Sequence, residues 1–309
     1  MRLIFMGTPL AALPTLARCL TDGHEIVAVW TQPDKPAGRG NRLIAPPVKE
    51  FALARNLTVH QPIKIKTEQA REMFASAQAD AAVVVAYGRI LPPPLLHTPR
   101  LGCINVHFSL LPRYRGAAPV NWTIINGEDE TGVTTMLMDE GLDTGQILLQ
   151  RATMVGTKET APELMERLSH VGSELLSETL ARLDEIEPRQ QCDTNASFAP
   201  LLRREDGLID WSQDAFSIER RVRGLQTWPL AYTFYEARRL AIWRAQPEES
   251  TNEASAIGEI VKARNDEFIV ACGANSRLRL HEVQLEGKRK MSARDFLNGA
   301  RVQMGQKLG

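Results

Sequence analysis

The sequence predicts an α/β chain, with a Rossmann-like open sheet in its first half and a small β-rich domain after it. Three observations carry that prediction. Apolar runs alternate with segments of helical spacing from the first residues to Asp184. One of these runs, Ala81–Tyr87 (AAVVVAY), is apolar without a break, as befits a strand of a parallel sheet covered on both faces. Beyond the polar stretch Glu187–Asn195 the composition shifts to tryptophans and short β-like runs divided by glycine turns.

Taken in order, Arg2–Met6 is a short apolar strand that stops at Gly7-Thr8-Pro9. Ala11–Leu20 then sets Leu13, Leu16, Ala17 and Leu20 at helical spacing. Glu25–Trp30 alternates as a strand, and the loop TQPDKPAGRGNRLIAPP (Thr31–Pro47) follows, dense in proline and glycine. Helices are expected over Pro47–Ala54 and Thr67–Ala77. After Ala81–Tyr87, the next strand is Cys103–Phe108, and Val120–Ile125 reads as a helix. Val133–Met138 and Ile147–Gln150 read as further strands. The long helix Glu159–Asp184 presents Leu164, Leu168, Val171, Leu175 and Leu176 on one face. In open parallel sheets ligands sit beyond the carboxyl ends of the strands. Gly7–Pro9, Tyr87–Leu91 and Asn105–Ser109 therefore fall on one rim. A domain over 1–189, a linker over 190–206 and a second domain over 207–309 complete the expected organisation. In that last part Trp211, Trp228 and Trp243 accompany the runs Ala231–Tyr235, Leu240–Trp243, Glu267–Ala271 and Arg277–His281, which read as a small β-barrel or sandwich.

Bulk properties bound the function. A chain of 309 residues with 43% hydrophobic side chains can bury two cores. Lys plus Arg and Asp plus Glu number 37 each, so no global field announces a polyanionic partner. From Gly207 onward there are 16 basic against 13 acidic residues, a small excess that gains meaning only beside other signs of an anionic partner. Cys19, Cys103, Cys192 and Cys272 are far apart and form no zinc-type pair, the usage of a reduced, cytoplasmic protein. The start MRLIFMGTP is too short an apolar run for a signal peptide, and no 18-residue apolar stretch offers a membrane span.

Three segments are candidates for chemistry. Asn105 and His107 share strand parity, so both side chains face one side. An amide can donate to a developing oxyanion, and an imidazole can move a proton. A hydrogen-bonded core pair is the plain alternative, but Ser109-Leu110-Leu111-Pro112 ends the strand at once and leaves the pair at its carboxyl-terminal lip. The second segment, Met138-Asp-Glu-Gly-Leu-Asp143-Thr-Gly145, carries three carboxylates and two glycines between strands; it reads either as a hairpin turn or as the support for a carboxylate that serves a nearby histidine. The third is the Thr31–Pro47 loop, where Lys35, Arg39 and Arg42 stand among glycines and prolines, either solvated or suited to phosphate. By contrast, Gly7-Thr8-Pro9-Leu10 lacks the later glycines that a dinucleotide pyrophosphate needs, and it reads as an ordinary strand-to-helix turn.

Together these segments resemble the folate-dependent formyltransferase family. The resemblance is carried by Asn105-Val-His107-x-Ser109-Leu-Leu-Pro112, Arg115-Gly116-x-x-Pro119, Thr131-Gly-Val-Thr134 and Asp143-Thr-Gly145. Similarity to the branch that acts on tRNA rests on Gly7-Thr-Pro9, Gln32-Pro-Asp-x-Pro-x-Gly-Arg-Gly40, Val84-Val-Ala-Tyr-Gly88, Ile209-Asp-Trp211, Trp228-Pro229 and the tail from Met291 (MSARDFLNG). The resemblance spans nearly the whole chain in order. It implies a Rossmann-like formyltransferase domain followed by an OB-like barrel. It further implies formyl transfer from 10-formyltetrahydrofolate to the α-amino group of methionyl initiator tRNA in translation initiation, by a monomer that needs no metal and no membrane. The family's catalytic Asn, His and Asp map onto Asn105, His107 and Asp143. Its folate-binding signature maps onto Ser109, Leu110, Leu111 and Pro112, with Gly88 and Ile90 on the same rim. The family's basic residue that enters the tRNA acceptor end maps onto Arg39, with the loop cations Lys35 and Arg42 beside it in sequence and Arg204 as a further tRNA contact, and the basic excess after Gly207 would then guide tRNA phosphates.

Three departures are visible. Phe108 stands where the family carries a small residue or proline; parity turns it away from Asn105 and His107, toward the core. Arg204 replaces a common Lys, keeping the charge and changing the geometry. Asn121-Trp122-x-x-Ile-Asn126-Gly127-Glu128 also resembles sugar-nucleotide N-formyltransferases, which use the same folate donor and are the alternative reading. The tRNA-type loop and tail favour the first reading, and the tail also weighs against a formyltetrahydrofolate hydrolase. The intact Asn105, His107 and Asp143 weigh against a mere RNA-binding protein.

Overall fold

Two units make up the chain in a computed structural model that describes residues 1–37, 42–248 and 255–309. The first comprises Met1–Pro119, Glu130–Met154 and Met165–Pro200. The second comprises Val120–Asp129, Val155–Leu164 and Leu201–Gly309.

The first unit begins β1 (Arg2–Gly7), α1 (Leu13–Thr21), β2 (Glu25–Trp30), β3 (Lys35–Ala37), β4 (Arg42–Ile44), α2 (Pro47–Leu53) and β5 (Val59–His60). It continues through α3 (Glu68–Ser76), β6 (Ala81–Val85), α4 (Pro93–Leu96), β7 (Cys103–His107) and β8 (Arg115–Gly116). Then come α5 (Pro119–Ile125), whose residues from Val120 fall in the second unit, and β9 (Glu130–Leu137), β10 (Ile147–Met154), α6 (Ala161–Ala181, from Met165 in the first unit) and β11 (Phe198–Ala199). Seven strands form one sheet in the order β10-β9-β7-β6-β1-β2-β5. The strands from β5 to β7 are parallel, β9 pairs antiparallel with β7, and β10 pairs antiparallel with β9. The purely parallel sheet expected from the alternation is therefore corrected to a mixed one with a single reversed strand. All five residues of β6 and of β7 are buried, which is why these segments read as unbroken apolar runs.

Two further corrections concern length and content. The Thr31–Pro47 segment holds a short ribbon, with Lys35 opposite Ile44 and Ala37 opposite Arg42, rather than a structureless loop. The strand from Ala81 stops at Val85, because Ala86 turns to a φ of 47° and leads Tyr87 onto the rim. Helix α6 buries Leu168, Leu175 and Leu176 as expected, but Val171 is only half-buried and its neighbour Gly172 makes the closest approach to the sheet. A Cβ on Gly172 would lie 2.8 Å from the Val106 side chain, 3.4 Å from Val133 and 3.5 Å from Phe108. Phe108 is thus buried on the α6 side of β7.

The second unit contains α7 (Ala215–Gly224), β12 (Ala231–Tyr235), β13 (Arg238–Glu248), β14 (Ile260–Arg264), β15 (Glu267–Ala271), β16 (Arg277–Leu285), β17 (Met291–Ser292) and α8 (Ala293–Ala300). Its strands pair in the order β12-β13-β16-β15-β14, with β17 on β16, all antiparallel. Among the described residues no pairing joins β14 to β12, so the pairing is that of an antiparallel sheet, not a closed ring. Both helices start on side-chain caps: Asp214 accepts from the N–H groups of Phe216 and Ser217, and Ser292 from that of Asp295. Buried Trp211 donates from its indole to Thr233 Oγ1 at 3.0 Å, while Trp228 is exposed. Asn121, in the stretch resembling sugar-nucleotide enzymes, donates to the Gly224 carbonyl at the end of α7.

Candidate active site

β7 delivers the central pair. Strand parity puts Cys103, Asn105 and His107 on one side and Val106 on the other, and the contacts of Gly172 identify the second side as the one facing α6. Cys103 packs into the opposite core with Met6, Val84 and Leu95, and Met138 lies against that core. Asn105 and His107 continue along this face to the carboxyl-terminal lip, where they remain 9% and 6% exposed.

Chain reversal after the strand is built from side chain–backbone bonds. Thr134 Oγ1 donates to the Ser109 carbonyl at 2.7 Å and accepts from Leu111 N at 3.1 Å. Gln150 binds the Leu111 carbonyl at 2.9 Å, and Ser109 Oγ donates to the Arg113 carbonyl at 2.6 Å. This explains the Thr134 of the Thr131–Thr134 motif: its hydroxyl sits opposite His107 in the β7–β9 register and pins the turn that the strand enters. Ser109 and Leu111 are buried, Leu110 and Pro112 half-buried.

His107 is fixed at one ring nitrogen and turns the other toward a carboxylate. Nε2 lies 3.0 Å from the Tyr114 carbonyl, and Nδ1 faces Asp143 Oδ2 at 3.7 Å. A proton on Nε2 satisfies the carbonyl, so Nδ1 is the nitrogen turned toward the carboxylate. At 3.7 Å the two are just beyond direct hydrogen bonding, an ion-pair distance. Tyr114 and Asp143 both adopt left-handed backbone, φ 61° and 53°. Such geometry costs on the order of 1 kcal/mol for a side-chain-bearing residue and persists only where neighbours enforce it. Tyr114 is held by its N–H on Ser197 Oγ. The Asp143 carboxylate accepts the Gly116 N–H at 2.8 Å, and Gln191 Nε2 donates to the carbonyls of Asp143 and Gly145, each at 2.8 Å. Gly145 admits no side chain: a Cβ there would sit 1.7 Å from the Leu137 carbonyl oxygen.

Asn105, His107 and Asp143 are therefore brought together, with Ser109–Pro112 leading out of the same strand. Gly88 (φ 81°) and Ile90 are exposed at the end of β6. Lys35 and Arg42 are exposed on the β3–β4 ribbon, and Arg204 is exposed at a one-turn helix (Arg204–Gly207) of the second unit. Arg39 lies outside the described residues. Sequence reasoning missed the Tyr114 carbonyl, the Gly116 N–H and Gln191. The first two stood inside a recognised motif but act through backbone atoms; Gln191 stood in the expected linker. Burial pushes the Cys19, Cys103 and Cys272 thiols up to about 12, so none of these is a nucleophile near neutrality. No cluster of three or more His, Cys, Asp or Glu residues able to hold a metal occurs among the described residues. Nor does the structure contain a helix long and apolar enough to cross a membrane, again among the described residues.

Comparison with known proteins covers both units. The family described as formyl transferase matches residues 1–180, and formyl transferase, C-terminal domain, matches residues 201–301. A methionyl-tRNA formyltransferase of Citrifermentans bemidjiense is 50% identical over 100% of this chain and 96% of its own length. Another, of Solibacter usitatus, is 48% identical over 100% of this chain and 99% of its own. Among solved structures, the N-formyltransferase from Helicobacter canadensis, in complex with folinic acid and dTDP-3-aminofucose, shares the fold at a TM-score of 0.66. It is 19% identical and covers 90% of this chain and 98% of its own.

Proposed function

We infer a reaction for this chain, which belongs to the formyl transferase family: it moves the formyl group of 10-formyltetrahydrofolate onto the α-amino group of methionyl initiator tRNA. Whole-length relatives at 45–50% identity are named methionyl-tRNA formyltransferase, whereas the sugar-modifying neighbours share the fold at 17–19%. The observation that carries the mechanism is the convergence of Asn105, His107 and Asp143 at the lip of β7, with His107 Nδ1 and Asp143 Oδ2 3.7 Å apart.

The amine attacks the formyl carbon, a C–N bond forms, and the formyl oxygen takes up negative charge. The Asn105 amide and the His107 imidazolium stabilise that oxygen; one such donor is worth roughly 3–4 kcal/mol. Asp143, with the help of a water, accepts the proton leaving the amine and passes it to the departing folate nitrogen as the second C–N bond breaks. Products are the formylated aminoacyl-tRNA and tetrahydrofolate. No step calls for a metal.

The same proposal assigns the folate to Ser109, Leu110, Leu111 and Pro112 with Gly88 and Ile90, and the tRNA acceptor arm to Lys35, Arg39, Arg42 and Arg204. It divides the chain into a catalytic domain over 1–189, a linker over 190–206 and an OB-like, tRNA-guiding domain over 207–309 in a monomeric cytoplasmic enzyme. The test is formyl transfer to charged initiator tRNA, charged elongator methionyl-tRNA and an amino-sugar nucleotide, with wild type and Arg39→Ala. Preference for the initiator tRNA supports the reading, and preference for the sugar overturns it.

A further inference from the structure

We propose that Gln191 is a positioning residue for the reaction, acting through Asp143. The proposal rests on the reading of Asp143 as the reacting carboxylate. The Gln191 side chain is bonded at both ends of its amide. Nε2 donates to the 143–145 loop, on the carbonyls of Asp143 and Gly145 at 2.8 Å each, and has a longer contact to Met136 Sδ at 4.0 Å. Its Oε1 accepts two bonds from the Arg115 guanidinium, from Nε at 3.0 Å and Nη2 at 2.8 Å. Arg115 is 4% exposed, and its charge is balanced by Asp193, 2.9 Å from Nη2. The fork of Arg115 thus locks the amide plane, and the amide locks the loop.

The grip falls on the strained peptide. Asp143 holds a φ of 53°, and its own carbonyl is one of the two that Gln191 binds, so releasing the amide lets this residue relax toward ordinary backbone. Its carboxylate would then leave both Gly116 N–H and the 3.7 Å approach to His107. The fork Arg115 belongs to the short strand β8 whose Gly116 N–H grips the carboxylate itself, so backbone and side chain of Asp143 are referred to one rigid element. The segment expected to be a linker is part of that element: Ser197 carries the Tyr114 N–H, its carbonyl accepts Arg115 N, and β11 pairs with β8. Glutamate could not substitute, since it would turn lone pairs toward both carbonyls.

The experiment is a double-mutant cycle on the full chain, with kcat and KM measured for formyl transfer to charged initiator tRNA. Gln191→Leu should lower kcat roughly 100-fold, the usual effect of misplacing a reacting group by about an ångström, with KM for both substrates within a factor of two or so. On an Asp143→Ala background the same change should have no further effect on kcat. Full activity of Gln191→Leu, or a loss that multiplies with that of Asp143→Ala, overturns the inference while leaving the reaction assignment intact. Full activity of Asp143→Ala overturns the assignment itself. If Gln191→Leu does not fold, Gln191→Glu, which keeps size and the bond to Arg115, is read by the same criteria. Loss of folding in both shows that the residue holds the unit as a whole, and the inference is then wrong.

Discussion

Two stretches of the same sheet edge differ in how their polar groups are used. At the ends of β1, β2 and β6 several polar groups bond to one another, although the Tyr87 hydroxyl and Thr31 Oγ1 are buried without a partner among the described residues. Thr8 Oγ1 and Gln32 Nε2 both donate to the Tyr87 carbonyl, Arg89 binds Gln32 Oε1 and the Pro62 carbonyl, and Gln61 ties the Gln32 carbonyl to Asp34. At the end of β7, the His107–Asp143 pair stands 3.7 Å apart, and the bonds around it grip backbone and ring orientation instead of closing the gap. In the first arrangement side chains and backbone carbonyls close a hydrogen-bonded network; in the second a ring and a carboxylate face each other without a direct hydrogen bond.

The contrast can be broken by substitutions, and the largest effect is expected at the end of β7. His107→Ala should lower formyl transfer by roughly 10²–10⁴-fold, and Asn105→Ala by about 10²–10³-fold. In both variants tRNA binding should be intact by filter retention; activity near wild type in either would remove that residue from the reaction. Next is Gly145→Ala. With the Leu137 carbonyl 1.7 Å from the added carbon, the loop must move, and kcat should fall about 100-fold with the sheet still folded by circular dichroism.

Changes in the network around the Tyr87 carbonyl and behind β7 should cost mainly stability, and any catalytic loss beside Gly88 and Ile90 should fall on KM for the folate rather than on kcat. Gln61→Leu strips the Gln32 carbonyl and Asp34 of a donor and should lower unfolding free energy by about 1–2 kcal/mol in urea. A kcat loss comparable to that of Asn105→Ala would show that this network also positions the reacting groups. Gly172→Val, pressing on Val106 and Phe108, should destabilise by roughly 1–3 kcal/mol.

The smallest effect lies in the second unit. The Ser217 hydroxyl, then the Ser217 and Phe216 N–H groups, hold the Asp214 carboxyl below its ordinary value of 3.8. A lowered value means that the cap stabilises α7 above the ordinary carboxylate range and is lost as pH falls through the folded value. Asp214→Ala should therefore cost about 1 kcal/mol at pH 7, and the difference from wild type should narrow in unfolding curves as pH is lowered below the ordinary carboxylate value.

Much of this was legible from residue order alone. The parity of Asn105 and His107, the apolar runs of β6 and β7 and the polarity of the segment around Asp143 all follow from local pattern. The reversal of β9 was not, because alternation fixes which face a side chain takes and says nothing of strand direction. Nor was the β3–β4 ribbon, whose prolines and glycines mask short pairing. Gln191 escaped because its partners are backbone carbonyls of Asp143 and Gly145 and the fork of Arg115, all distant in sequence, and a polar residue among polar neighbours carries no mark of them.

The close approach of Gly172 to β7 has a stereochemical side. Val106 and Phe108 are backed by the helix, so that face of the strand is shut and only the Asn105–His107 face is open to a reacting group. A formyl carbon is planar, and in the proposed reaction it would present one of its two mirror-related faces to the incoming amine. The tetrahedral carbon that results bears hydrogen, oxygen and two different nitrogens, so it would be formed in a single handedness. Neither product keeps a record of that choice.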